Sequence, residues 1–329
     1  MKQIRHLSIA AIAAGLLAAT PAFAQTKMRI SYQVPTAHHL HKAMEFYKAE
    51  LEKATDNGIQ VELFPAEQLA KAGENHPQVA RGAIEAALAV NFQWGNTIPE
   101  MNVTTIPYLF TDLEKIKKFP GSPAAKILED KLMSKGVKNI GWFYITRQSI
   151  FTSGKKPLIA VDDFKGVKIR GLNAIADAGL AAAGASPTPI SGNEVYNALQ
   201  SGLIDAGLTD LSAAYSRRYY EVQKFGTTAP YFSVYFHLYA NPGWFSKLTP
   251  AQQKAVLETG TKTEAFIVPL TEKTAADASG NLRTKGMTVH EQTAAEQKAW
   301  AAAMQKPVMD AFSKSAPDGE KLIELLQKL

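Results

Sequence analysis

The sequence predicts an α/β fold of two lobes, and three observations carry that reading. Near the N-terminus, Met28 to Val34 alternates as a strand, His41 to Ala54 places Ala43, Met44, Tyr47 and Leu51 at helical spacing, and Ile59 to Phe64 alternates again. This strand, helix, strand order is the unit of a parallel sheet. A second pattern occurs twice, far apart: Gly82 to Leu88 leads into Ala89 to Phe92, and Leu199 to Leu208 leads into Thr209-Asp210. In each, a helix stops at a glycine suited to a left-handed cap and an acidic residue precedes a short apolar strand. Two such copies fit two similar lobes, with Asn91 to Trp94 and Thr209-Asp210 facing one another; they equally fit two ordinary helix-to-strand turns. Third, a helical pattern from Pro250 runs past Phe266 and through Pro269 toward Leu282, long enough to lie along both lobes. Proline inside a helix predicts a kink or break there.

The remaining elements follow in order. Met1 to Ala24 has the form of a secretory leader: Lys2 and Arg5, an apolar run from Leu7 to Ala19, and Ala22-Phe23-Ala24 as a small-x-small cleavage site. The apolar run falls short of the ~20 residues a bilayer span needs, so a soluble, exported mature chain is expected. There is no cysteine, which leaves no disulfide framework and no thiolate chemistry. Together these features point to a bacterial periplasm. The formal charge is +6. Without Lys2 and Arg5, 34 basic residues face 30 acidic ones, a balance of +4. The basic residues are scattered, unlike the concentrated face of a nucleic-acid binder.

Between the first strand and helix lies His38-His39-Leu40-His41, where helix-start and cleft-lining roles fit better than a metal site, since no acid or cysteine is close by in sequence. His76 to Ala87 is expected to be helical. Ile140 to Ile145 forms a strand ending in Arg147-Gln148, and Phe164 to Arg170 forms another. A helix, Ala174 to Ala183, then leads to a strand near Ser186 to Pro189. Ser191 and Glu194 have capping-box spacing for a helix from Glu194 to Ser201. Phe232 to Tyr239 is a strand by composition, closed by Asn241-Pro242-Gly243. Thr249-Pro250 starts the long helix, Met287 to His290 reads as a strand, and Thr293 with Glu296 caps a last helix interrupted by Pro307. Gly319 to Leu329 is amphipathic.

Arg170 stands at the C-terminal end of its strand. Ligands in open α/β sheets sit outside strand carboxyl ends, and a guanidinium there offers parallel donors to a carboxylate. No phosphate-cradling loop, dinucleotide fingerprint or nucleophile elbow occurs, so enzyme chemistry, for instance through His38, His39 or Asp210, has no motif behind it and no cofactor is implied.

Thr146-Arg147-Gln148, Phe164 to Arg170, Gly184 to Pro189, Glu194 to Asp205 and Tyr220 to Phe225 occur in an order and spacing that resembles the solute-binding proteins of tripartite ATP-independent periplasmic (TRAP) transporters. The resemblance extends from the leader to the C-terminal helices. It implies a type II-like two-lobed periplasmic binding protein, α/β, with hinge strands and a long kinked helix spanning both lobes. Residues 25–144 plus 234–275 would form one lobe, and 145–233 plus 276–329 the other. It also implies a receptor without enzymatic activity, a small organic anion as ligand, a TRAP membrane permease as partner, and a monomer. Arg170 matches the family arginine that pairs with the ligand carboxylate, and Arg147 a second basic position in the same cleft. Relatives often continue with valine or threonine and then proline after the arginine, where Gly171-Leu172-Asn173 stands here, and sialic-acid binders carry asparagine in place of Thr209. An inward Asp210 would repel a second carboxylate. Asn91, Phe92, Trp94, Tyr231, Phe232 and Tyr235 come from segments expected near the cleft, so a monocarboxylate with an apolar or aromatic body is expected. A periplasmic sensor module is the alternative.

Overall fold

The computed structural model describes residues 25–329; the expected leader, 1–24, lies outside them. The first part of the chain comprises β1 (Thr26–Ser31), α1 (His39–Ala54), β2 (Ile59–Phe64), α2 (Ala72–Ala80), β3 (Ala86–Val90), α3 (Leu113–Lys118), α4 (Pro123–Ser134) and β4 (Lys138–Thr146). Then follow β5 (Ser149–Ser153), β6 (Lys168–Gly171), α5 (Ala174–Ala182), β7 (Ser186–Pro189), α6 (Val195–Gln200), β8 (Ala206–Asp210), α7 (Leu211–Ser216) and β9 (Phe225–Ala229). The chain returns through β10 (Val234–Ala240), α8 (Pro242–Ser246), α9 (Pro250–Thr284), β11 (Thr288–Glu291), α10 (Ala294–Ser315) and α11 (Gly319–Gln327).

The strands form two sheets, ordered β2, β1, β3, β10, β4 and β11, β9, β5, β8, β6, β7. Within the first, β1 runs parallel to β2 and β3, while β10 lies antiparallel between β3 and β4. Two short connections join the sheets. At one, β4 passes into β5 through Arg147-Gln148, where the Thr146 hydroxyl accepts from the Gln148 amide and donates to its carbonyl. The other, residues 230–233, joins β9 to β10. The prolines of β7 are tolerated because it is an edge strand, where a missing N–H breaks no ladder.

The repeated glycine pattern is a true structural duplication. Gly82 and Gly202 both adopt positive φ, at 76° and 72°. Gly82 donates to Val79 and Ile84 to Gln78, while Gly202 donates to Leu199 and Ile204 to Ala198. These are the same terminating hydrogen bonds in each lobe. Each acid then ties its strand to the neighbour, Glu85 accepting from the Arg29 amide and Asp205 from the Lys168 amide.

Four expectations change. The helix expected over His76 to Ala87 starts earlier, at Ala72, and stops at Ala80, just before the Gly82 cap. Ser191 forms no capping box: α6 is preceded by Glu194 in a helical conformation, with no side-chain cap. Neither Pro269 nor Pro307 interrupts its helix. Pro269 is on the solvent side of α9, where the carbonyl it leaves unpaired meets water. Finally, α11 does not stay with the second lobe. Leu322 and Leu326 are buried in one cluster with Ile116, Leu128 and Leu132 of α3 and α4, each such leucine stabilising the docked helix by roughly 1.5–3 kcal/mol.

The long α9 shields the outer edge of β4. Its Glu264 accepts from the Trp142 amide at 2.7 Å, and its Thr271 hydroxyl donates to the Tyr144 carbonyl at 2.9 Å. Backbone groups that would be open to another strand are thereby satisfied. Burial pushes the Glu264 carboxyl up to about 7, and the Glu129 charge adds to the rise. A raised carboxyl holds its proton in the folded state, so stability is full below the ordinary carboxylate range and falls as pH rises toward 7. Glu264→Gln keeps the acceptor and removes the charge. At pH 8 it should be more stable than the parent by about 2 kcal/mol, with little difference at pH 5; urea melts at the two pH values measure this, and equal gains at both would refute the assignment.

Candidate ligand-binding site

The cavity between the lobes is built from three directions. From the second sheet come Arg170 in β6, Leu172 just after it, and Leu208, Thr209 and Asp210 at the end of β8. The first lobe supplies Gln33, Val34, Val90 and Phe92, and the returning chain gives Phe232, Val234 and Phe236. Gly192 and Arg217 complete the wall. The centres of water-sized spheres reach about 30 Å³ of it, where one water needs about 10–15 Å³. A second space of about 230 Å³ adjoins it and shares Gln33, Phe92, Arg170, Leu172 and Gly192.

Arg170 is 4% exposed and held by two carbonyls, its Nε donating to Ile190 at 3.1 Å and its Nη1 to Leu208 at 2.7 Å. Burial lowers its pKa, and the neighbouring Arg217 charge lowers it further. Among the described residues no carboxylate forms an ion pair with it, so the buried charge is ready for an anion from outside.

Asp210 caps α7, accepting from the Ala213 amide at 2.7 Å. Burial pushes its carboxyl up, but His38, His39 and the Ala213 amide outweigh that and hold it at about 2. His38 begins α1 as expected: its Nδ1 accepts from the Leu40 amide. Its proton is therefore on Nε2, which faces Asp210 at 3.6 Å. His39 joins both lobes, Nδ1 against the Ser212 hydroxyl at 2.9 Å and Nε2 against Thr271 at 3.0 Å. Burial lowers its pKa to about 3, so the ring is neutral. With His41 bonded to the Tyr32 hydroxyl, all three histidines have structural partners. Among the described residues no three His, Cys, Asp or Glu side chains converge as a metal site would need.

Of the residues expected in the cleft, Phe92, Arg170, Thr209, Asp210 and Phe232 line the central cavity and His38 stands behind Asp210. The structure puts the others elsewhere. Arg147 is engaged by Glu272 of α9 at 2.9 Å and lines a different cavity, beside Thr228 and Gln292. The Glu272 hydrogen bond raises its pKa against the effect of burial. Tyr235 is on the wrong face of β10. Strand alternation sends Val234 and Phe236 into the cavity and Tyr235 to the opposite side, where its hydroxyl donates to the Ile116 carbonyl. Trp94 ends the 3-10 turn that begins at Asn91 and is buried between His76, His237 and Tyr239. Asn91 acts as an internal clip, donating to Met101 and Thr104 and accepting from the Tyr235 amide.

Sequence reasoning missed Gln33, Gly192, Arg217 and Asn173. The Asn173 carboxamide caps α5 through its oxygen and donates to the Phe92 carbonyl at 2.9 Å and to Asn102 at 2.7 Å. It thus bridges the lobes three residues beyond Arg170. Its place in a segment that departs from relatives was a usable signal; Arg217 gave none beyond being one of many basic residues.

A cavity lined by both lobes, with a buried arginine free for an anion in its wall, fits a receptor for a small solute. The chain belongs to family 7 of the bacterial extracellular solute-binding proteins, DctP, whose family description matches residues 30–315. It is 27% identical to the C4-dicarboxylate-binding periplasmic protein DctP of Rhodobacter capsulatus over 95% of this chain and 94% of that protein. It is 25% identical to the 2,3-diketo-L-gulonate-binding periplasmic protein YiaO of Escherichia coli over 99% of each. Among solved structures, a TRAP solute-binding protein from Desulfovibrio salexigens with bound orotic acid superposes with a TM-score of 0.87 at 25% identity, over 92% of this chain and 97% of that one. DctP7 of Bordetella pertussis, a receptor binding pyroglutamic acid, gives 0.83 at 25% identity, over 92% and 99%. Members of the family are periplasmic receptors for organic acids, not enzymes, and work with TRAP membrane permease components.

Proposed function

We propose that this receptor binds a compact monocarboxylate with an apolar body in the interlobe cavity and, as a monomer, delivers it to its TRAP permease. The single observation behind this is the cavity wall. Arg170 is its buried anchor, and Val34, Val90, Phe92, Leu172, Leu208, Phe232, Val234 and Phe236 make most of the remainder apolar. An apolar body gains about 25 cal/mol for each Å² withdrawn from water, whereas each buried hydroxyl of a sugar acid needs its own polar partner. Thr209, Gln33 and Gly192 are few for that purpose. Ligand contacts in both lobes favour the closed form, which is the state a permease can distinguish from the open one. The proposed lobes are those of the two sheets, with α11 docked on the first.

Mass spectrometry of acid released from the purified protein, followed by a thermal-shift screen of organic acids, tests the reading. A branched or aromatic monocarboxylate should raise the melting temperature most, since specific binding must stabilise the folded state. A polyhydroxylated sugar acid as the tightest ligand would overturn it. Turnover of a bound acid, or co-operation with a sensor kinase in place of a permease, would overturn the transport role.

A further inference from the structure

We propose that Arg217 is a specificity-determining residue that selects acids carrying an acceptor oxygen on the carbon next to the carboxylate, a 2-oxo or 2-hydroxy group. This rests on the preceding reading of the cavity as a carboxylate site.

Arg217 follows α7 and lines the same cavity as Arg170. Its guanidinium lies against Gly192, where a side-chain Cβ would come within 2.7 Å of it, so a larger residue there would displace the guanidinium from its present position. Its Nε is buried without a hydrogen-bond partner. The buried Tyr219 phenol feels the charges of both Arg217 and Arg170, and Arg217 acts directly on Arg170. The two cations therefore share one end of the cavity.

Donor counting gives the ligand chemistry. A guanidinium has five N–H donors. Arg170 gives two to the Ile190 and Leu208 carbonyls, while Arg217 has only the Tyr219 hydroxyl as a side-chain partner. Between them they offer more donors than the roughly four acceptor positions of a lone carboxylate. An adjacent oxo or hydroxyl oxygen lies on the same side of the ligand and takes up the excess. Gln33 adds a buried, unpartnered amide oxygen on the same wall, suited to the proton of a 2-hydroxyl group.

Charge counting excludes the other way of using two arginines, a dicarboxylate. The charged lining residues are Arg170, Arg217 and Asp210, and Asp210 stays ionised at neutral pH. These three lining groups together carry one net positive charge, which one carboxylate neutralises. A second carboxylate would bring a net negative charge into a small space beside Asp210.

Isothermal titration of the full receptor with 2-oxoisovalerate, 2-hydroxyisovalerate and isovalerate, together with the dicarboxylate methylsuccinate, tests the assignment. The wild type should prefer the first two over isovalerate. Arg217→Gln should weaken them by about 10- to 100-fold, the loss of a charge-assisted hydrogen bond, and change isovalerate by less than about 3-fold on the same basis. Arg217→Lys, which retains the charge, should keep part of the preference and guards against a folding defect in the glutamine variant. Equal weakening of all three acids, or tightest binding by methylsuccinate, would overturn the role of Arg217. Failure of every organic acid to bind the wild type would instead remove the carboxylate reading on which it rests.

Discussion

Arg170→Ala is expected to weaken binding of the organic acid by between about 30-fold and several thousand-fold, the cost of truncating one partner of a buried charged pair. The unliganded protein should melt close to the parent. Two effects oppose one another there. Removing the side chain leaves the carbonyls of Ile190 and Leu208 without their donors, at about 1–3 kcal/mol each if water does not replace them. It also removes a buried cation that burial already disfavours, an effective penalty of several kcal/mol. The function of Arg170 is thus visible in ligand-dependent stabilisation, not in the stability of the empty protein. Arg170→Lys keeps the charge but replaces a planar fork with a point donor, so a smaller loss, about 10- to 100-fold, is expected. Titration of both variants decides the matter, and wild-type affinity in both would remove Arg170 from the site.

The second large effect is on the long helix. At Gly260 of α9 an added Cβ would be 2.4 Å from the Ile140 carbonyl oxygen and 3.2 Å from its carbon. Both neighbours are backbone, on a helix and a strand already joined through Glu264 and Thr271, so neither can step aside alone. Alanine gains about 1 kcal/mol over glycine in a helix, while overpacking against fixed backbone costs about 1–3 kcal/mol or more. The upper end applies here, and Gly260→Ala should lose about 2 kcal/mol net, lowering the melting temperature by about 5 °C. Gly280, in the same helix, has nothing within 4 Å of the added atom. Gly280→Ala should therefore gain about 0.5–1 kcal/mol. Parallel thermal melts of the two variants separate packing from helix propensity; a Gly260 variant as stable as the Gly280 one would show that the close approach is not limiting.

Local signals were legible where one interaction dominates. The capping boxes at Thr249 and Thr293 form with both reciprocal bonds, because a cap depends on four residues only. The twin glycine caps could be read for the same reason. Faces were harder. In β10 nearly every residue is apolar or aromatic and all are buried, so period two carries no contrast, and choosing Tyr235 over its neighbours Val234 and Phe236 amounted to choosing a side of the sheet. Arg170 could be found because its strand end has a general meaning in α/β folds. Arg217 owes its place to the short α7 and to the room left by Gly192 from another segment, a conjunction that no local spacing encodes. Arg147 illustrates the converse: its partner Glu272 lies far along the chain, and only the packing of α9 brings the pair together.

The position of β10 also imposes an order of assembly. It is an interior strand of the first sheet, the one that joins β3 to β4, yet it is synthesised after the whole of the second lobe's main body. Until residue 240 is available, β3 has no partner on one side and β4 remains separate from β1 to β3. The chain emerging N-terminus first therefore cannot complete its first lobe until most of its second has appeared. Pairings of this sequence separation are entropically late, so the half-built first sheet must remain with an open edge, and it is during this interval that the nascent protein depends most on protection from other chains.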